Sequence, residues 1–233
     1  MTRLYIFDFD GTLSYTGGDI ALSVQLIQRK YGAPVTDEKS ILAFVGYGAR
    51  YLIENTVTCG LGNEAVPEKS SASEFGPGSA GASFEDIYRD YLEVYYEHAT
   101  DTSRLYPGVR ETLEAIIARG DRTALFTNKP RRVTDKTLRF LGIDGLFEAT
   151  FCPEDLERKK PDPEGILRCS RATGVPLERT LMVGDSRADV DAGRAAGVKT
   201  LGLLNGMGDR AKLLAAGPDF TAESFGEIPG IEF

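Results

Sequence analysis

Two aspartates close the first apolar run of this chain. In Leu4-Tyr5-Ile6-Phe7-Asp8-Phe9-Asp10-Gly11-Thr12-Leu13, Asp8 and Asp10 stand two positions apart, and side chains at i and i+2 of an extended strand share a face. Two carboxylates held about 4 Å apart repel by roughly 4 kcal/mol at an effective dielectric near 20. Such a pair needs a cation, a proton or a catalytic task. The Gly11-Thr12 turn can bring backbone N–H groups up to an anion. The pattern reads as a magnesium site with an aspartate nucleophile for phosphoryl transfer.

Those carboxylates have to be positioned by the elements around them. The spacing predicts a strand over about 4–8, helices over about 19–31, 39–58 and 84–97, and a Ser-, Gly-, Ala- and Pro-rich loop or flexible segment over about 66–83. From about residue 107 the texture changes. Strands over about 122–126, 149–151, 180–183 and 199–203 alternate with helices over about 109–119, 131–141, 163–173, 187–196 and 209–215. That alternation predicts an α/β fold with a Rossmann-like parallel sheet and crossover helices. The helical block becomes an inserted α-helical cap, about 16–99, and the catalytic core is built from about 1–15 and 100–233.

Open parallel sheets bind ligands at the carboxyl ends of their strands. Four strand ends deliver suitable groups. The first gives Asp8 and Asp10, the second Thr127 and Asn128, the third loop Lys159 and Lys160, and the fourth Asp185, Ser186 and Asp189. This convergence is more specific than any one motif.

Composition narrows the classes. The chain has 233 residues, 42% hydrophobic, with a net charge of −8, enough for a real core and without a basic cluster for nucleic acid or an anionic membrane. Its three cysteines (Cys59, Cys152, Cys169) are scattered without metal-ligand spacing, which fits reduced thiols in a cytoplasmic protein. The single histidine, His98, has no nucleophile motif or ligand cluster with it. No signal peptide or bilayer-length apolar run is expected.

The ordered segments DFDGTL, TNK, KKPDP and GDSRADVDAG resemble the four motifs of the haloacid dehalogenase (HAD) superfamily, and PGV at 107–109, VGYGARYL and AAGPDF resemble its phosphoglycolate phosphatase-like branch with a helical cap. The resemblance implies a phosphoric monoester hydrolase. In it Asp8 is the nucleophile, and Asp10 is the general acid and then base, with its backbone carbonyl on Mg²⁺. Thr127, with Asn128 nearby, binds the phosphoryl oxygens, and Lys160 neutralises the nucleophile and the transferring group. Asp185 binds the metal directly, and Asp189 holds it through water or orients the site. Asp8 must be ionised while Asp10 must sometimes hold a proton, so their surroundings must differ. A small phosphorylated metabolite, best 2-phosphoglycolate, is the implied substrate of a monomer or homodimer.

Plainer explanations compete residue by residue. Thr127 and Asn128 are good helix caps, Asp189 can offset a helix dipole, and Lys159 and Asp191 read as solvated charges. Gly46-Tyr47-Gly48 lacks a preceding strand and reads as a close approach of the cap to core or substrate. Gly206-Met207-Gly208 reads as a loop of the site, and Arg50 as a surface arginine. Ser14 to Gly18 interpose no acid before Asp19, where related sequences often carry one, which bears on the hinge. Rival readings are a pyrophosphatase, a β-phosphoglucomutase-like phosphotransferase, and a non-enzymatic sensor of a phosphorylated ligand. A dehalogenase is disfavoured by Asp10-Gly11, and a phosphonatase lacks a marked cap lysine.

Overall fold

The computed structural model describes residues 2–58 and 82–233. Its strands are β1 (Leu4–Phe7), β2 (Ser14–Tyr15), β3 (Arg104–Leu105), β4 (Arg122–Phe126), β5 (Ala149–Phe151), β6 (Thr180–Gly184), β7 (Lys199–Leu203) and β8 (Phe220–Ala222). Six of them form one parallel sheet in the order β5-β4-β1-β6-β7-β8. The chain fills this sheet outward from β1, first to one side and then to the other. The strand order therefore reverses between β1 and β6, which is where an open α/β sheet opens a ligand crevice. Phe7 pairs with Leu125 on one side and Val183 on the other, so the carboxyl ends of β4, β1 and β6 are level.

The near-continuous apolar run of β1, buried at every residue, is what a strand covered on both faces requires. On one face Phe7, Leu125 and Val183 pack with Leu113, Ile116, Phe225 and Ile228. On the other, Ile6, Phe126 and Met182 pack with Ile166, Cys169 and Ala192. The flanking helices are α5 (Val109–Ala118), α6 (Arg131–Leu141), α7 (Glu164–Thr173), α8 (Arg187–Ala196) and α9 (Arg210–Ala215), preceded in the chain by α1 (Gly17–Tyr31), α2 (Glu38–Leu42), α3 (Ala49–Ile53) and α4 (Phe84–His98).

The helices α1 to α4 lie between β2 and β3 and share an apolar cluster of their own, with Ile20, Val24 and Ile27 of α1 against Leu52, Ile53, Val57, Ile87, Tyr91 and Tyr95. The single helix expected over 39–58 is three pieces: α2, α3 and a π-helical turn at Glu54–Thr58. Gly46 and Gly48 break it. Both have φ near the left-handed region, +99° and +94°, and glycine costs a helix about 1 kcal/mol relative to alanine. The loop expected over about 66–83 falls, save Ala82 and Ser83, outside the described residues, as does Cys59. Ser83 starts α4 through a reciprocal capping box with Asp86.

Two features escape periodicity because they are too short for it. One is β8, three residues at the sheet edge. The other is the antiparallel β2–β3 pair, where the chain leaves and re-enters the sheet layer. The hinge contains an acid after all. Asp19 is fully buried. Its Oδ1 accepts from Thr102 N–H (2.7 Å) and Oγ1 (2.6 Å), and its Oδ2 from Ser103 N–H (3.1 Å) and Oγ (2.6 Å). A first-turn carboxylate of α1 thus ties the outgoing linker to the returning one, and Gly18 leaves room for it, since a Cβ there would stand 2.6 Å from Thr102 Oγ1.

Candidate active site

At the reversal point three buried carboxylates converge. Asp8, Asp185 and Asp189 each offer an oxygen, and these oxygens lie within 4.8 Å of one another. Lys160 Nζ sits between two of them, 2.7 Å from Asp8 Oδ1 and 2.6 Å from Asp189 Oδ1. The contact to Asp8 is an ion contact without hydrogen-bond angles, and Asp8 Oδ1 has no hydrogen-bond partner among the described residues.

Each carboxylate is held by its own short-range device. Asp185 follows Gly184 at the end of β6, and its Oδ1 accepts from Thr12 Oγ1 at 3.0 Å while its Oδ2 accepts from Gly208 N–H at 2.8 Å. Gly11, at φ +83°, and Gly206 make the cradle. A Cβ at Gly11 would come within 2.1 Å of Asp185 Oδ2, and one at Gly206 within 2.2 Å of Asp185 Cβ. The loop at 206–208 is therefore a wall of the site. Asp189 Oδ2 caps α8 through Ser186 N–H (3.0 Å) and Oγ (2.6 Å), which leaves Oδ1 for Lys160. The capping role and the site role coexist in one side chain.

Burial raises the Asp185 carboxyl to about 7, with the neighbouring charges of Asp189 and Asp8 adding to it and Gly208 N–H and Thr12 opposing it. Burial raises Asp8 to about 6 against the opposing charge of Lys160. Burial alone would lower Lys160, but Asp189 and Asp8 outweigh it and raise the ammonium above its usual value. Three carboxylates against one ammonium leave excess negative charge in a buried place, with one oxygen lacking a donor. Hard oxygen donors in this arrangement fit a hard divalent cation.

Asp10 departs from the expected pairing. The strand ends at Phe7, and a turn follows in which Leu13 N–H and Ser14 N–H both reach Phe9 O. The same-face rule for strands therefore no longer governs Asp10. Its carboxylate lies outside the three-carboxylate group, and its Oδ1 accepts from Thr16 Oγ1 (2.7 Å) and Lys129 Nζ (2.8 Å). Asp8 and Asp10 are separated into different surroundings, one against Lys160 and one against Lys129.

Thr127, buried at the end of β4, accepts from Lys129 N–H at 3.2 Å and lines the cavity beside Asp8. Asn128 is occupied as a strut. Its Nδ2 donates to Gly46 O (2.8 Å) and Lys160 O (3.1 Å), and its Oδ1 accepts from Lys160 N–H (3.0 Å). Lys159, read as solvated, donates from Nζ to Tyr47 O at 2.6 Å. The Gly46-Tyr47-Gly48 segment is thereby where the helical block meets the sheet edge. His98 pairs with Asp101 at 2.7 Å, and Asp191 with Arg187 at 2.9 Å. Arg50 makes two 2.7 Å bonds to Glu85 and lies over the Tyr88 ring at 4.5 Å.

Between sheet edge and helices lies a cavity of about 40 Å³, lined by Asp8, Asp10, Thr127 and Lys129 from below and by Gly46, Leu52, Tyr91 and Tyr95 from the helical block. Thr16, Lys129 and Tyr95 are contributors that motif reading passed over, while the Gly208 N–H gives the loop at 206–208 its role as a donor to Asp185. Lys129 had a signal: it directly follows Thr127-Asn128 at a strand end.

A family model of haloacid dehalogenase-like hydrolases matches residues 5–203, and the chain belongs to that family. Within it the chain sits in the phosphoglycolate phosphatase-like branch of phosphoric monoester hydrolases. It is 32% identical over 223 residues to a phosphoglycolate phosphatase of Pseudomonas putida, covering 96% of this chain and 77% of that one. It is 31% identical to an N-acetylmuramic acid 6-phosphate phosphatase of Pseudomonas aeruginosa, covering 88% and 82%. The crystal structure of a predicted phosphoglycolate phosphatase from Haemophilus somnus superposes with a TM-score of 0.86 at 30% identity, covering 98% and 97%. Among the described residues no helix is long and apolar enough to cross a membrane.

Proposed function

We propose that this chain is a Mg²⁺-dependent phosphatase of small phosphate monoesters, with 2-phosphoglycolate as its substrate, acting through an aspartyl phosphate. The observation that carries the reading is the buried Asp8 beside Lys160, with Asp185 and Asp189 within one ion's reach. Residues 16–99 act as the cap over a core of 1–15 and 100–233. Asp8 attacks phosphorus, and the bond from phosphorus to the bridging oxygen breaks as Asp10 gives that oxygen a proton. Asp10 then takes a proton from the water that attacks phosphorus of the aspartyl phosphate, which releases phosphate and restores Asp8. Lys160 offsets the charge on Asp8 and on the transferring oxygens, and Thr127 donates to them. Bound at Asp8, Asp185, the main-chain carbonyl of Asp10 and, through water, Asp189, Mg²⁺ supplies charge neutralisation of the phosphoryl group.

Similarity over nearly the whole chain to phosphoglycolate phosphatases supports 2-phosphoglycolate as the substrate. The buried Cys152 and Cys169, both free thiols, suit a cytoplasmic setting. Asp8→Asn should reduce phosphate release by about 10⁴-fold or more with an unchanged circular dichroism spectrum. EDTA should silence the native enzyme and Mg²⁺ restore it. Full activity of the Asn variant would sink the mechanism, and steady binding of phosphate esters without turnover would favour a sensor.

A further inference from the structure

Lys129 is a cation that the reaction scheme leaves without a task. It is buried, and a buried ammonium requires partners. Its Nζ donates to Asp10 Oδ1 at 2.8 Å and to the Tyr95 hydroxyl, and lies 4.6 Å from the centroid of the Tyr95 ring. An ammonium has three donors, and two are taken among the described residues. The side chain lines the cavity that also holds Asp8.

Two further donors stand with it. The Tyr95 hydroxyl accepts from Lys129, so its own proton remains to be given. The ring of Tyr91 lines the same cavity, stacks on Tyr95 at 5.5 Å, and its hydroxyl has no partner among the described residues. Among the described residues Asp8 and Asp10 are the only acids of the lining, and the helical wall adds the apolar Ile20, Val45 and Leu52. This end of the cavity is built for an acceptor-rich anion flanked by little else.

We propose that Lys129, with the Tyr95 and Tyr91 hydroxyls, binds a carboxylate on the substrate's leaving group and selects esters whose bridging oxygen stands one carbon from that carboxylate. This rests on the phosphatase reading above. Distance sets the class. Asp10 must reach the bridging oxygen to protonate it, and Lys129 is within hydrogen-bond range of Asp10, so an anion on Lys129 lies a few bonds from that oxygen at most. α-Phosphooxy carboxylates meet this condition. A sugar phosphate with its next anion many bonds away does not.

The test uses the full-length, Mg²⁺-loaded enzyme and a matched pair of substrates, 2-phosphoglycolate and 2-hydroxyethyl phosphate, which share a two-carbon skeleton but differ in the carboxylate. The native enzyme is expected to favour 2-phosphoglycolate in kcat/KM by about 100-fold or more, the scale of a buried charge-assisted contact that is left unpaired by the wrong ligand. Lys129→Met should cut that ratio by about 10- to 100-fold, and Tyr95→Phe by about 5-fold. Equal losses on both substrates in Lys129→Met would mean that Lys129 acts only through Asp10, and would overturn the proposal, as would a native enzyme without preference. If Lys129→Met does not fold, Tyr95→Phe carries the test, and an unchanged ratio there is the overturning result. Failure of the underlying reading looks different: no phosphate release from either substrate, or release that survives Asp8→Asn.

Discussion

The sheet edge and the helical block meet across one cavity, yet they are built by different rules. At the sheet edge every group is set by a backbone device within a few residues: a strand end for Asp8, a glycine cradle for Asp185, a capping box for Asp189. Among the described residues of the helical side no comparable device sets a group of the cavity. Tyr91 and Tyr95 reach the cavity because α4 packs on α1 through an ordinary apolar stripe. Contacts between the two regions are mostly polar and include Asn128 to Gly46, Lys159 to Tyr47, Lys129 to Tyr95, Arg132 to Glu93, Lys136 to Tyr96 O and the Asp19 clasp at the linkers, while Val133 of α6 packs into the apolar cluster of the helices. The contrast teaches a division of labour. In the proposed reading the sheet edge is the ionic assembly that does the chemistry, and the helices supply the wall of the cavity, with Tyr95 tied to the sheet edge through Lys129.

The sharpest way to break that contrast is to loosen the ionic assembly. Lys160→Met removes the ammonium between Asp8 and Asp189 and leaves their charges buried without it. Phosphate release should fall by about 100- to 1,000-fold. In EDTA, stability to urea should fall by about 3–5 kcal/mol, the cost of breaking a buried pair from one side. A variant as stable and active as the native chain would show that the assembly is not rigid. A gentler probe is pH. Asp185 and Asp8 ordinarily titrate near 3.8, and here they stand at about 7 and about 6. The folded state therefore holds their protons more tightly than the unfolded chain does. Their own contribution to the stability of the metal-free protein should be greatest below about pH 4, fall by on the order of a few kcal/mol as pH rises to about 7, and then level off, whereas carboxylates held low elsewhere, such as Asp86 and Asp90, act in the opposite sense. Saturating Mg²⁺ should flatten the loss. Urea midpoints across this range for the native chain and Asp185→Asn, with EDTA and with Mg²⁺, isolate that contribution, and a metal-free difference between the two chains that does not change with pH would contradict the burial of these carboxylates.

How much of this was legible in the sequence follows the same division. The parallel sheet, its crossover helices and the four strand-end groups follow from local patterns: apolar runs of four or five residues, Gly-Asp and Thr-Asn at their ends, and amphipathic spacing between. The converging of Asp8, Lys160, Asp185 and Asp189 was readable because a parallel sheet brings its carboxyl ends together. The turn of Asp10 toward Thr16 and Lys129 was not. It depends on the chain leaving strand geometry one residue after Phe7, and on a lysine whose partner tyrosine stands 34 positions earlier in the chain. The break of the 39–58 helix was signalled by Gly46 and Gly48, but their function as a contact with Asn128 needs the third dimension. The same holds for Asp19, an ordinary first-turn acid until its four donors from Thr102 and Ser103 are seen.

The smallest expected effect addresses the seam itself. Asn128 joins the two regions by one hydrogen bond to Gly46 O and holds the Lys160 backbone by two. Asn128→Ala deletes all three while leaving Lys160 and Asp8 in place. Each neutral bond of this kind is worth about 1 kcal/mol net. If the sheet edge does the chemistry and the helices shape the wall, the loss should divide. Because Lys160 is also pinned through Asp8 and Asp189, kcat should fall by no more than about 10-fold, while KM rises as the wall near Gly46 loosens. An aryl phosphate, whose leaving group needs little help from the wall, should lose less than 2-phosphoglycolate. A collapse of kcat with KM unchanged on both substrates would mean that Asn128 serves the reacting groups directly, and the division between chemistry and wall would have to be redrawn at this residue.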